Sequence, residues 1–214
     1  MTQWTDIFIL ALVLTNFRLL ASSRLTALIE TMILQAVTLA VIPLTLSPRP
    51  WPLRLVAFLL ITLTVKGALL PWLLRRAIRE ADVQREVEPF IGYSASVLIG
   101  IALLGLSFLI AMPLKAAASP GTASLLPGAM FTTLTGLMII ISRRKALIQV
   151  VGYLGMENGI YAFGAVLAVE APMLVEMGVL LDVFVAVFIM GITIYQINLE
   201  FDHIDTDRLS ELKD

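Results

Sequence analysis

Apolar residues fill this chain in long blocks, roughly 7–21, 25–46, 53–74, 90–112, 125–142, 146–169 and 173–199. Most approach the twenty or so residues that carry a helix across a hydrocarbon core about 30 Å thick. A helix of a soluble domain would interrupt such a run with polar positions every few residues. The pattern therefore predicts an all-α fold, a polytopic transmembrane bundle of about seven helices. The breaks carry residues that stop helices. Ser47-Pro48-Arg49-Pro50-Trp51-Pro52 lacks the amide donors a helix needs. The mixed-charge stretch 75–88 reads as a connector, Ser119-Pro120-Gly121 as a turn, and Ala171-Pro172 as the tightest connection. Asn16 and Arg18 cut the first apolar run short.

Composition agrees. Hydrophobic residues make up 59% of the 214 and charged residues 14%, against about a quarter charged in an ordinary soluble domain. Met1 to Asp6 carries no basic residue ahead of the apolar run, unlike a cleaved secretory signal. With no Cys and a single His, His203, the chain excludes iron–sulfur, haem–thiolate, disulfide and Cys/His zinc chemistry of its own. A net charge of −1 gives no basic surface for nucleic acid. No Walker-type loop, dinucleotide fingerprint or nucleophile elbow is present. No catalytic residue, cofactor or metal is expected within the chain.

Charge placement predicts orientation. With the N-terminus outside and the C-terminus cytoplasmic, the cytoplasmic segments hold Arg18, Arg24, Arg75, Arg76, Arg79, Arg85, Arg143, Arg144, Lys145, Arg208 and Lys213. The external segments hold only Arg49, Arg54 and Lys115, so the positive-inside rule favours this arrangement. One basic residue, Lys66, belongs to no loop or terminus. In this topology the first three and last three helices run in matching directions, which permits a parallel repeat. Ala27-Leu28-Ile29-Glu30 echoes Ala146-Leu147-Ile148-Gln149, with Lys66 near the equivalent of Asp182.

Helix rise converts position into depth. At about 1.5 Å per residue, Glu157 lies roughly 18 Å beyond Lys145, Asp182 roughly 15 Å beyond Pro172, and Lys66 roughly 13–14 Å short of Arg75. All three fall in the middle third of the membrane, where a charge costs about 2.5–3.5 kcal/mol and faces the bundle interior or a partner. Two readings stand side by side: groups that take up and release protons, or buried pairs that only hold helices together. Glu30, six residues past Arg24, can snorkel to the cytoplasmic surface. Glu170 and Glu176 flank the short external turn, with Glu176 one turn inside. Gly152, Gly155 and Gly159 form one stripe of the sixth helix with spacing suited to close helix approach, and Glu157 projects away from it.

The segment Gly152-Tyr153-Leu154-Gly155-Met156-Glu157-Asn158-Gly159 is followed by Ala171-Pro172-Met173-Leu174-Val175-Glu176-Met177-Gly178 and then Asp182-Val183-Phe184-Val185-Ala186-Val187. With Thr64-Val65-Lys66-Gly67-Ala68-Leu69-Leu70-Pro71 upstream and Leu209-Ser210-Glu211-Leu212-Lys213 downstream, the chain resembles the hydrogenase-4 component E family. These are membrane subunits of formate-hydrogenlyase-type and related group 4 hydrogenases. The resemblance covers most of the chain, best from Arg143 onward. The last three helices of that family are similar to subunit K of respiratory complex I and to its small membrane counterpart in multisubunit sodium/proton antiporters. In those relatives, acidic residues on two successive helices belong to a proton path. Glu157 matches the first acidic position. Asp182, an Asp where those relatives carry Glu, matches the second. Lys66 lies in helices that subunit K lacks.

The resemblance implies a non-catalytic membrane subunit with no redox centre of its own, in the cytoplasmic membrane of a prokaryote. Its partners would be antiporter-like and quinone-pocket-type membrane subunits, peripheral hydrogenase or other redox subunits, and the lipid bilayer. The chain divides into helices one to five at 1–142, helices six and seven at 143–199 (with helix five the subunit-K-like part), and a cytoplasmic tail at 200–214. The expected proton path comprises Glu157, Asp182, Lys66, Glu176 and Glu30. An anchoring subunit with structural pairs, or an independent seven-helix carrier, are the competing readings.

Overall fold

The computed structural model describes residues 2–46, 50–80, 89–115, 123–167 and 181–191. They form α1 (Thr2–Ala21), α2 (Leu25–Leu46), α3 (Leu53–Thr64), a π-helical turn (Val65–Leu69), α4 (Leu70–Glu80), α5 (Tyr93–Leu114), α6 (Leu125–Ser142), α7 (Ala146–Leu167) and α8 (Leu181–Gly191). The π turn joins α3 to α4 without a break. No strand occurs among the described residues. Leu25–Leu44, Tyr93–Leu114 and Leu125–Ser142 are long and apolar enough to cross a membrane. The turns expected at Ser119-Pro120-Gly121 and Ala171-Pro172, and the tail, lie outside the described residues.

Two apolar clusters organise the packing. The larger draws Leu19 and Leu20 from α1, Leu28, Ile29 and Met32 from α2, Leu70 and Leu74 from α4, Val151 and Leu154 from α7, and Val185 and Ile189 from α8. The smaller gathers Leu12, Leu39, Ile42, Leu126 and Ala162 toward the other end. Outward positions are apolar as well: Leu10 and Leu14 on α1, Leu98, Phe108 and Leu109 on α5, and Phe184 and Phe188 on α8 are all exposed. Helices apolar on both faces suit a hydrocarbon surround. α5 turns only small residues inward, Ser96, Gly100, Ser107 and Ala111.

The expected connector over 75–88 is helical as far as Glu80. α4, which runs into it, is amphipathic: Leu73, Leu74, Ala77 and Ile78 are buried, while Arg75, Arg76 and Arg79 face outward. The run of charges masked this inward stripe. Arg143, counted with the loop cations, is instead buried, at 1% exposure. Its guanidinium donates to the carbonyls of Leu20 (2.9 Å) and Ile91 (3.1 Å) and to Ser96 Oγ (3.3 Å), and it lies over the Tyr93 ring. The planar fork of donors satisfies the Leu20 carbonyl left open at the end of α1 and also reaches the Ile91 carbonyl just before α5. It also brings the end of α1, the start of α5 and the α6–α7 junction to one side of the bundle.

Candidate functional site

Pro71 shapes the place where Lys66 sits. It has no N–H, so a helical hydrogen bond to the preceding turn is lost. Just before it the helix widens, and the Leu70 N–H bonds the carbonyl of Val65 five residues back. Widened turns of this kind concentrate at functional sites, and this one carries Lys66 into the bundle.

Glu157 reaches the same point from α7. Its helix is pressed against α6 through glycines: a Cβ at Gly136 of α6 would overlap the backbone of Met156 and Gly152, and one at Gly159 would overlap Thr133. A Cβ at Gly152 would lie 2.8 Å from Ile139 Cγ2. Gly155 is roomier, with nothing nearer than 3.8 Å. The third member, Asp182, comes from α8.

Lys66 Nζ donates to Glu157 Oε1 at 2.6 Å and lies 3.5 Å from Asp182 Oδ1. The three side chains are 12%, 6% and 3% exposed respectively, so both carboxyls are buried and the lysine is largely covered. Glu157 Oε2 and Asp182 Oδ1 are buried without a hydrogen-bond partner. Lys66, Leu70, Pro71, Leu74, Leu154, Asn158 and Met32 line a cavity of ≈ 10 Å³, the space of about one water. Among the described residues no group of three or more carboxylate, His or Cys side chains is arranged to hold a metal ion.

A line of buried amides leads away from the cluster. Lys66 Nζ donates to Asn158 Oδ1 at 3.4 Å, and Asn158 Nδ2 donates to Gln35 Oε1 at 3.2 Å. Gln35 Nε2 donates to Asn16 Oδ1 at 2.9 Å and to Thr15 Oγ1 at 3.2 Å. Asn16 Nδ2 then donates to Thr132 Oγ1 at 2.8 Å. The line crosses from the π turn through α7, α2 and α1 to α6.

The structure thus gathers Lys66, Glu157 and Asp182. It does not bring Glu30 to them: that carboxylate is exposed and pairs with Arg18 at 2.8 Å. Glu176 lies outside the described residues. Sequence reasoning passed over Gln35, Asn16, Thr15, Thr132 and the role of Asn158. The signal was present, since uncharged amides inside apolar blocks also require partners in hydrocarbon.

No protein-family model and no solved structure matches the chain. Among curated proteins it is 33% identical over 204 residues to the uncharacterized protein Rv0085 of Mycobacterium tuberculosis, covering 95% of this chain and 93% of the relative. It is 30% identical over 148 residues to hydrogenase-4 component E of Escherichia coli strain K12, covering 69% of this chain and 68% of the relative. The figures for hydrogenase-4 component E of Shigella flexneri are the same.

Proposed function

This chain belongs to the hydrogenase-4 component E family, and on that premise we propose that it is a membrane subunit of a complex-I-like hydrogenase assembly in which Glu157, Asp182 and Lys66 pass protons. It performs no redox chemistry. The chain sits in the cytoplasmic membrane of a prokaryote as a bundle of about seven spans, N-terminus outside. Its neighbours are antiporter-like and quinone-pocket-type membrane subunits and peripheral redox subunits.

The observation that carries this reading is one ammonium shared by two buried carboxyls on different helices. One cation neutralises one carboxylate, so a neutral cluster holds a proton on the other carboxyl. Moving Lys66 from Glu157 toward Asp182 exchanges which carboxyl is paired and which is protonated. The ammonium already lies within 3.5 Å of both carboxyls, so the exchange needs little movement. Redox events in partner subunits would shift the cluster by changing the nearby charge. Pure anchoring is served as well by apolar side chains, because a buried ion pair is weak evidence for stability.

The test has two parts. Affinity purification of the chain from membranes should recover the other membrane and peripheral subunits of a hydrogenase-type complex; recovery of this chain alone as a homo-oligomer argues for a carrier. In the recovered complex, Glu157→Gln should leave composition intact while lowering redox-driven proton uptake by at least about tenfold, the effect of about 1.4 kcal/mol on a barrier. Unaltered uptake would remove Glu157 from the path.

A further inference from the structure

The buried amide line has a direction, and its far end enforces it. The Thr132 hydroxyl donates to the carbonyl of Gly128 on its own helix at 2.8 Å, so its oxygen receives a donor from Asn16 and cannot supply one. Asn16 must therefore point its NH₂ at Thr132 and its carbonyl oxygen at Gln35. Gln35 in turn points its NH₂ at Asn16 and its carbonyl oxygen at Asn158. Thr15 repeats the constraint: its hydroxyl proton goes to the carbonyls of Ala11 (2.8 Å) and Leu12 (2.9 Å), and its oxygen accepts from Gln35. Both Gln35 N–H groups are then engaged. Asn158 has one arrangement left, with Nδ2 on Gln35 and Oδ1 on Lys66. Asn16, Gln35 and Thr132 are each 0% exposed, and Asn158 is 3% exposed, so no bulk water relaxes the order.

We propose that Asn158, Gln35, Asn16 and Thr132 form a one-way hydrogen-bond chain that holds the Lys66 ammonium on Glu157 rather than on Asp182. Two of the ammonium's donors meet oxygens of neighbouring α7 residues, Glu157 Oε1 and Asn158 Oδ1. Asp182 Oδ1, at 3.5 Å, is left without a hydrogen bond. A reversed Asn158 amide would face its NH₂ toward the ammonium, donor against donor, and would release Lys66 toward α8. The four side chains are positioning residues: they determine where the cation rests and carry no proton themselves, since side-chain amides do not titrate and the Thr132 hydroxyl proton is held by the Gly128 carbonyl. The inference rests on the reading of Lys66 as a cation that changes partners, and it adds which partner is favoured at rest.

The test reads carboxyl pairing without redox turnover. Membranes holding the intact complex are treated with dicyclohexylcarbodiimide, which modifies protonated carboxyls in apolar surroundings, and adducts at Glu157 and Asp182 are quantified by mass spectrometry. In the native chain, labelling should favour Asp182. In Gln35→Met, and in Thr15→Val with Thr132→Val, the Glu157-to-Asp182 ratio should rise roughly five- to tenfold, the scale one buried hydrogen bond sustains. Thr15→Ser with Thr132→Ser keeps the hydroxyls and should restore the native ratio. Equal labelling in the native complex, or one ratio across all these forms, overturns the proposal. Because no turnover is involved, that failure is distinct from retained proton uptake in Glu157→Gln, which bears on the relay itself.

Discussion

Lys66→Met should destabilise the chain by about 3–5 kcal/mol, because removing one partner strands the others in a buried site. Glu157 and Asp182 would face each other without the ammonium that now lies 2.6 Å and 3.5 Å from them. Denaturant unfolding of the detergent-solubilised protein measures the loss. Adding Glu157→Gln and Asp182→Asn to Lys66→Met should recover most of it, since a neutral cluster needs no cation. This non-additivity separates charge stranding from simple loss of lysine packing. Equal stability of Lys66→Met and the native chain would mean that the charges are solvated and the cluster is open to water.

The second large effect belongs to a glycine on α6. Gly136→Ala directs a methyl group into the backbone of Met156 and Gly152. Backbone cannot rotate aside as a side chain can, so α6 and α7 must separate. The expected destabilisation is about 3 kcal/mol, the upper part of the range for overpacking. Met156 precedes Glu157, so the same separation should displace the carboxylate from Lys66 and lower proton uptake as well. Gly155→Ala is the control: its nearest neighbours lie at 3.8 Å or beyond, and it should fold and function like the native chain. Thermal unfolding of the two variants in detergent distinguishes them, and similar midpoints would contradict the packing described here.

These effects show where the sequence was readable. Long apolar blocks determine helices through backbone hydrogen bonding and length alone, so α2 and α6 begin and end where the pattern predicts. Lys66 and Glu157 were legible as charges where hydrocarbon tolerates few. Their contact was not, because depth along each helix says nothing about rotation or about which helices are neighbours. The π turn before Pro71 supplies that rotation, and no periodicity announces it. The amide line was missed for a related reason. Asn16 reads as an interruption of the first block and Gln35 as a lone polar residue, and only packing of α1 against α2 makes them partners. Gly136 carries no mark in sequence beyond being small, and its role appears once α7 is set against it. Arg143 shows the reverse error. A cation next to Arg144 and Lys145 looks like a loop charge, yet its guanidinium finds carbonyls from two other segments.

The central claim is that the buried carboxyls move protons and do more than hold helices together. Glu157→Gln combined with Asp182→Asn keeps size and polarity while removing both titratable groups, and the Lys66 ammonium retains amide oxygens to bond. The decisive measurement is the number of protons translocated per electron pair by the intact complex carrying both substitutions, reconstituted in sealed vesicles. A lost or reduced ratio with full subunit composition is the predicted result, and an unchanged ratio would contradict the relay and leave this subunit a structural one.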